Sequence, residues 1–261
     1  MAVYPQANRQ PARTPVRPSP VFLVVLAAFG LGVWLCLALP VSARIACFVL
    51  VTSGWVLSLI LHEFAHALVA YRGGDRSTAE KGYLSLDPRL YTDPLTSLAL
   101  PMLFIIMGGI GLPGGAVWIN RAALRSPAVE TAVSLAGPAV NALFAAACLV
   151  PIGSGLLDID TPTLTSAVAF LGFLQVTAVV LNLLPVPGLD GFGAIEPYLP
   201  RSVLNAVAGV RPVAMLILIG VMFYVEPVRN LFWDANLGIL KAFGVNQAWV
   251  SEGWSLFRFW V

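Results

Sequence analysis

The chain has 261 residues, 58% of them hydrophobic and only 11% charged, against roughly 25% charged in an ordinary soluble domain. With a mean hydropathy of +0.84, lipid is the solvent for much of its surface, which excludes a disordered chain, a disulfide scaffold and a tail-driven acidic or basic binder. Fifteen Lys and Arg against 13 Asp and Glu leave a net charge of +2, too little positive charge to recruit nucleic acid.

Residues 1–20 combine five prolines with Arg9, Arg13 and Arg17 and read as a disordered, solvated tail. The uncharged stretch 21–39 is long enough to cross a bilayer at ~20 residues per helix. It exceeds the roughly 7–15 apolar residues of a signal peptide. A retained helix is therefore expected, with the basic tail before it on the cytoplasmic side. Further apolar stretches occupy 45–71, 95–112, 129–150, 166–184 and 203–225. The polar segment 72–94 carries Arg72, Arg76, Lys81 and Arg89, and 121–125 carries Arg121 and Arg125. By contrast, 151–164 has Asp158 and Asp160 and no Lys or Arg. Basic loops favour the cytoplasm, so the first two belong on one side and the third on the other.

That assignment bears on 95–112. A full crossing there would put 121–125 outside and 151–164 inside. Pro101 interrupts the stretch, and the Gly/Pro-rich run 108–115 ends it with poor helix formers. It is read as re-entrant, leaving on the side it entered, and the alternative is a further full span. Irregular backbone at that depth is tolerated only under protein cover or beside a cavity. The tail 226–261 holds Trp233, Trp249, Trp254 and Trp260 among Arg229, Lys241 and Arg258, which suits segments anchored at the membrane interface. The expected architecture is an all-α polytopic membrane protein with about five to six transmembrane helices and a re-entrant segment near 95–120. A tail at 1–20, a membrane-embedded domain at 21–225 and an interfacial segment at 226–261 divide it.

The chain's only two histidines lie in His62-Glu63-Phe64-Ala65-His66, near the end of the second apolar stretch. On a helix, positions four apart share a face one turn from each other, so both imidazoles can reach one metal ion. Glu63 lies next to that face, where it can act on a metal-activated water. This is the H-E-x-x-H zinc pattern with the acid as general base. Glu63 is also the only acidic residue in 45–71, and ionisable groups in an apolar span are expensive and usually functional. A catalytic zinc takes a third protein ligand. Glu130 is one candidate, although it equally suits a charge at a helix N-terminus. Asp190 is the better one. It stands in 182–191, Asn-Leu-Leu-Pro-Val-Pro-Gly-Leu-Asp-Gly, where prolines and glycines unwind a helix leaving the bilayer and can turn a carboxylate inward. The re-entrant reading puts Asp190 on the same side as the histidines.

Together, HEFAH at 62–66 and NLLPVPGLDG at 182–191 resemble the site-2 protease family of intramembrane zinc metalloproteases. The N-x-x-P-x-x-x-x-D-G pattern is met at Asn182, Pro185, Asp190 and Gly191. The run 135–141, Leu-Ala-Gly-Pro-Ala-Val-Asn, looks like the family's small-residue helix, and 82–88 with 112–115 looks like a compact bacterial subgroup. The similarity spans about residues 45–200 and leaves no room for the PDZ or CBS module of some members. The resemblance implies a peptidase cutting transmembrane protein substrates in the lipid bilayer of the plasma membrane. It implies one Zn2+ held by His62, His66 and Asp190, with Glu63 as base, facing the cytoplasm. Nothing in the sequence sets an oligomeric state.

The oxyanion of such a reaction needs a further donor. Asn182 can supply a side-chain amide to it, to the substrate or to the active-site backbone. Asn141 is a second candidate, although its place beside Gly137 better suits a polar contact between helices. Glu196 and Arg211 fit loop and interfacial charges as well as a role in the site. A substrate helix must unwind before attack, and its freed backbone needs partners. The stretch 108–115, with 116–120 after it, can offer a strand edge. Two other classes compete: a metal or proton transporter, which needs ionisable groups spread along a path and often repeated halves, and an inactive scaffold, which has no use for Glu63.

Overall fold

The computed structural model describes residues 16–38, 42–91 and 117–260. No described residue lies in a strand, and among the described residues five helical stretches are long and apolar enough to cross a membrane. The molecule is an all-α polytopic membrane protein.

Helix α1 (Pro20–Leu37) begins where Ser19 Oγ accepts a hydrogen bond from Phe22 N at 3.1 Å and Pro20 takes the first turn, where its missing N–H costs nothing. Helix α2 (Ala43–Gly73) has 31 residues. At 1.5 Å per residue it is about 46 Å long, well over the ~30 Å hydrocarbon core. Helix α3 (Pro127–Gly153) is capped by Ser126, whose Oγ accepts from Val129 N at 3.3 Å. Helix α4 (Pro162–Asn182) is innermost, with 83% of its most apolar window buried against 11% for α1. A loop then leads to α5 (Asp190–Ile195).

The apolar stretch 203–225 is not one uniform helix. It forms α6 (Arg201–Val210) and α7 (Ala214–Tyr224), joined by a single 3-10 turn at Arg211–Val213. Pro212 lacks the N–H that would continue the α-helical ladder. This pair is also 11% buried over its apolar window, as suits a surface facing lipid. Helices α8 (Glu226–Ala242) and α9 (Gln247–Phe257) close the chain.

Leu50 and Trp55 of α2, Cys148 and Leu149 of α3, and Phe170, Leu171 and Leu174 of α4 form one core with Leu240 of α8 and Phe257 of α9. Phe257 is fully buried. Its ring lies 5.3 Å from that of Phe48 and 5.7 Å from that of Phe170. The C-terminal segment thus fills the bundle as well as carrying the tryptophans expected at the membrane surface.

The bundle has two distinct ends. At one, Ser85 O accepts from Ser19 N at 2.9 Å, Gly73 O accepts from Arg125 N at 3.1 Å, and Asp75 Oδ2 accepts from Asn120 N at 2.8 Å. The basic segments after α2 and before α3 therefore share that end. The loop after α3 and helices α8 and α9 occupy the other, where Gly153 lies against Phe243. The re-entrant segment expected near 95–120 falls mostly on 92–116, outside the described residues, as do the strand edge expected at 108–115 and most of the tail. The described residues flanking it, Tyr91 and Val117, belong to one apolar cluster with Tyr83 and Ala67.

Candidate metal centre

The long apolar run of α2 sets His62 and His66 one helical turn apart near the end of the helix, both 6% exposed. Their rings pack edge to face with centroids 4.7 Å apart. The third member comes from about 120 residues further along the chain. Helix α4 stops at Asn182, and Pro185 and Pro187 prevent its continuation. Gly188 then takes φ +101°, a left-handed conformation that favours glycine. This turn delivers Asp190 at the start of α5, where its carboxylate faces both histidines.

The distances fit one metal ion. His66 Nε2 lies 3.0 Å from His62 Nε2, while Asp190 Oδ2 is 3.3 Å from His62 Nε2 and Asp190 Oδ1 is 3.4 Å from His66 Nε2. Ligand atoms at ~2.0–2.1 Å around a tetrahedral zinc stand roughly 3.3 Å apart. The outer nitrogens agree. His66 Nδ1 is 2.7 Å from Val133 O, a carbonyl that only accepts, so the ring proton sits on Nδ1 and Nε2 presents its lone pair. Three electron-pair donors facing one another in a buried place are a cation-binding set. His62, His66 and Asp190 are the group of His, Cys, Asp and Glu side chains among the described residues that can hold an ion together.

Gly137 of α3 makes the room. A methyl group on it would fall 2.5 Å from His62 Cε1 and Nε2, and closer still to His66 Nε2. Only a residue without a side chain lets α3 approach this face of α2.

Glu63 stands outside the trio. It is 4% exposed, and its Oε2 accepts a hydrogen bond from Val117 N at 3.0 Å. The backbone at Val117 thereby holds its carboxylate at the wall of a cavity of about 330 Å³. The histidines, Asp190 and Asn182 line the same cavity. Asn182 is 3% exposed at the last turn of α4. Asn141 lies elsewhere. Its Oδ1 meets His62 Nδ1, and its Nδ2 donates to Gln175 Oε1 at 2.7 Å, so both of its polar ends are engaged between helices.

Glu130, the other carboxylate considered as a third ligand, is drawn to the cavity mouth. Arg121 Nη1 donates to Glu130 Oε1 at 2.6 Å and to Glu196 Oε2 at 2.7 Å, and Arg211 Nη2 donates to Glu196 Oε1 at 2.6 Å. This ionic chain joins four separate stretches of sequence. At such exposure its net contribution to stability is small. Asp75, only 1% exposed, was not apparent from the sequence as part of this region. Its carboxylate accepts from Ser77 N at 3.0 Å, Ser77 Oγ at 2.6 Å and Asn120 N at 2.8 Å, fixing the segment that carries Val117.

These features define a class: a membrane-embedded helix bundle with a His–His–carboxylate centre and a buried glutamate beside it. A relative in Mycolicibacterium smegmatis is 42% identical over 257 residues, covering 97% of this chain and 98% of its own length. One in Mycobacterium tuberculosis is 44% identical over 252 residues, covering 95% and 96%, and one in Bacillus subtilis is 28% identical over 200 residues, covering 72% and 88%. Each is named a putative zinc metalloprotease, the first two Rip2 and the third YwhC. No family model matches the chain, and no solved structure matches it. The chain belongs to the site-2 protease family of zinc metalloproteases.

Proposed function

We propose that this protein is an intramembrane zinc metalloprotease that hydrolyses a peptide bond within or next to a transmembrane helix of a substrate protein. The observation that carries the reading is the convergence of His62, His66 and Asp190 on one point beside buried Glu63, at one end of an apolar bundle. These three residues would hold one Zn2+. When bound, zinc supplies Lewis acidity that activates a water and polarises a carbonyl.

The chain's own groups do the rest. Glu63 takes a proton from the attacking water and returns it to the leaving amine. The Val117 N–H keeps the carboxylate aimed at the cavity. Asn182, at the cavity wall, supplies an amide donor toward the oxyanion. Water has a short path, because the site lies at the end of the bundle that bears the basic segments. Arg72, Arg76, Lys81, Arg89, Arg121 and Arg125 all belong to that end, and the preference of basic loops for the cytoplasm supports a site facing that side. The described parts of 21–225 act as one membrane-embedded unit, with α8 and α9 packed into the same core.

The test is direct. Full-length protein in lipid vesicles is incubated with a membrane-spanning peptide, and the products are sequenced by mass spectrometry. Cleavage inside or beside the apolar segment is expected. It should be abolished by a zinc chelator and restored by added zinc. Cleavage that survives complete metal removal, or no cleavage of any membrane-spanning peptide by zinc-loaded protein, would overturn the reading.

A further inference from the structure

We infer that Gln175 and Ser58, working through Asn141, are positioning residues that fix the tautomer and orientation of His62 for metal binding. The inference rests on the zinc reading above and extends it to two residues one layer deeper in the bundle.

The hydrogen bonds form a single line. Ser58 Oγ donates to Trp55 O at 2.8 Å, Gln175 Nε2 donates to Ser58 Oγ at 2.9 Å, and Asn141 Nδ2 donates to Gln175 Oε1 at 2.7 Å. Asn141 Oδ1 then meets His62 Nδ1. The line leaves α2 at Ser58, crosses α4 and α3, and returns to α2 one turn further on. Every member is buried: Gln175 is fully inaccessible and Ser58 is 1% exposed.

Its direction is set at the far end. The Trp55 carbonyl can only accept, so it takes the one hydroxyl proton of Ser58. The Ser58 oxygen must then accept, which turns the amide nitrogen of Gln175 toward it. The amide oxygen of Gln175 consequently faces Asn141 and takes a proton from its nitrogen. That leaves the Asn141 oxygen facing His62 Nδ1, which must donate. The proton is thereby held on Nδ1, and Nε2 is free to bind metal. An Asn amide turned the other way would present N–H groups to Nδ1 and move the ring proton to the metal side. His66 needs no such line, because its Nδ1 faces the carbonyl of Val133, which helix α3 fixes outright.

A plain structural role for Gln175 makes a different prediction. Buried amides tie membrane helices together, and on that account their removal lowers stability without changing metal affinity. Groups that orient a metal-binding histidine typically cost 10–100-fold in affinity when lost.

The experiment measures zinc affinity of the full-length protein in detergent by competition with a chromogenic chelator, alongside thermal unfolding of the metal-free protein. Gln175→Met and Asn141→Leu should each weaken zinc binding about 10–100-fold, and Ser58→Ala should weaken it less. Asn141→Asp should bind zinc close to wild type. An Asp oxygen still accepts from Nδ1, and its negative charge draws the Gln175 N–H to the other oxygen, at the cost of the Ser58–Trp55 hydrogen bond as the Ser58 hydroxyl turns to Gln175 Oε1. Wild-type affinity in either Gln175→Met or Asn141→Leu would overturn the proposal. So would an Asn141→Asp protein that loses as much affinity as Asn141→Leu. If Asn141→Leu does not fold, Gln175→Met and Ser58→Ala decide on the same criterion. A wild-type protein that binds no zinc would instead overturn the metalloprotease reading itself.

Discussion

Glu63→Gln is expected to lower peptide cleavage by about 10²–10⁴-fold, the usual worth of a general base, while zinc content stays that of wild type. The substituted amide cannot take a proton from water. It keeps an oxygen that can accept from Val117 N, so the segment 117–120 should stay in place. Metal binding is spared because the three converging donors are His62, His66 and Asp190. Zinc measured by atomic absorption and cleavage measured on the same preparation separate the possibilities. Loss of zinc would make Glu63 a ligand, and undiminished cleavage would remove it from the chemistry.

Gly137→Ala should lose zinc almost as completely as removal of a ligand would, although residue 137 offers no donor atom. The added methyl meets both imidazoles at the edge that faces the metal, within 2.5 Å of His62. Either α3 moves away from α2 or the rings rotate, and both changes spoil the three-way convergence. Zinc affinity should fall at least about 100-fold, the upper end of what changes behind a ligand cost. Chelator competition reads this directly, and unaltered affinity would show that α3 can shift without cost. Gly209, which has nothing within 4 Å of a built methyl, serves as a control: Gly209→Ala should leave zinc unchanged.

Much of this was legible in the residues. Apolar stretches at 45–71 and 129–150 became α2 and α3 with ends only two or three residues away, because a bilayer imposes length and apolarity together. The two histidines and Asp190 announced themselves as ionisable groups at membrane depth. What stayed hidden was made by backbone or by ambiguous polarity. Val117 holds Glu63 through its amide N–H, which every non-proline residue possesses. Gln175 did leave a signal: it is the one side-chain amide in an otherwise apolar run before Asn182, and such a residue needs a partner. Its partner, however, depended on how α3 and α4 meet. The burial of α8 and α9, expected as segments anchored at the membrane interface, stayed hidden for another reason. Tryptophan and leucine on one helix face suit lipid and a protein core equally, and only the fold shows that Phe257 is enclosed.

That enclosure carries a cost at a distance. Phe257 sits beside Phe48, and Phe48 is about 21 Å along α2 from His62 at 1.5 Å per residue. Trimming the final dozen residues would leave a hole in the half of the molecule farthest from the reacting atoms, and the rod bearing the imidazoles would lose its footing there. An affinity tag belongs at the amino end, and any maturation that nicks the carboxyl end would silence the molecule without touching its chemistry.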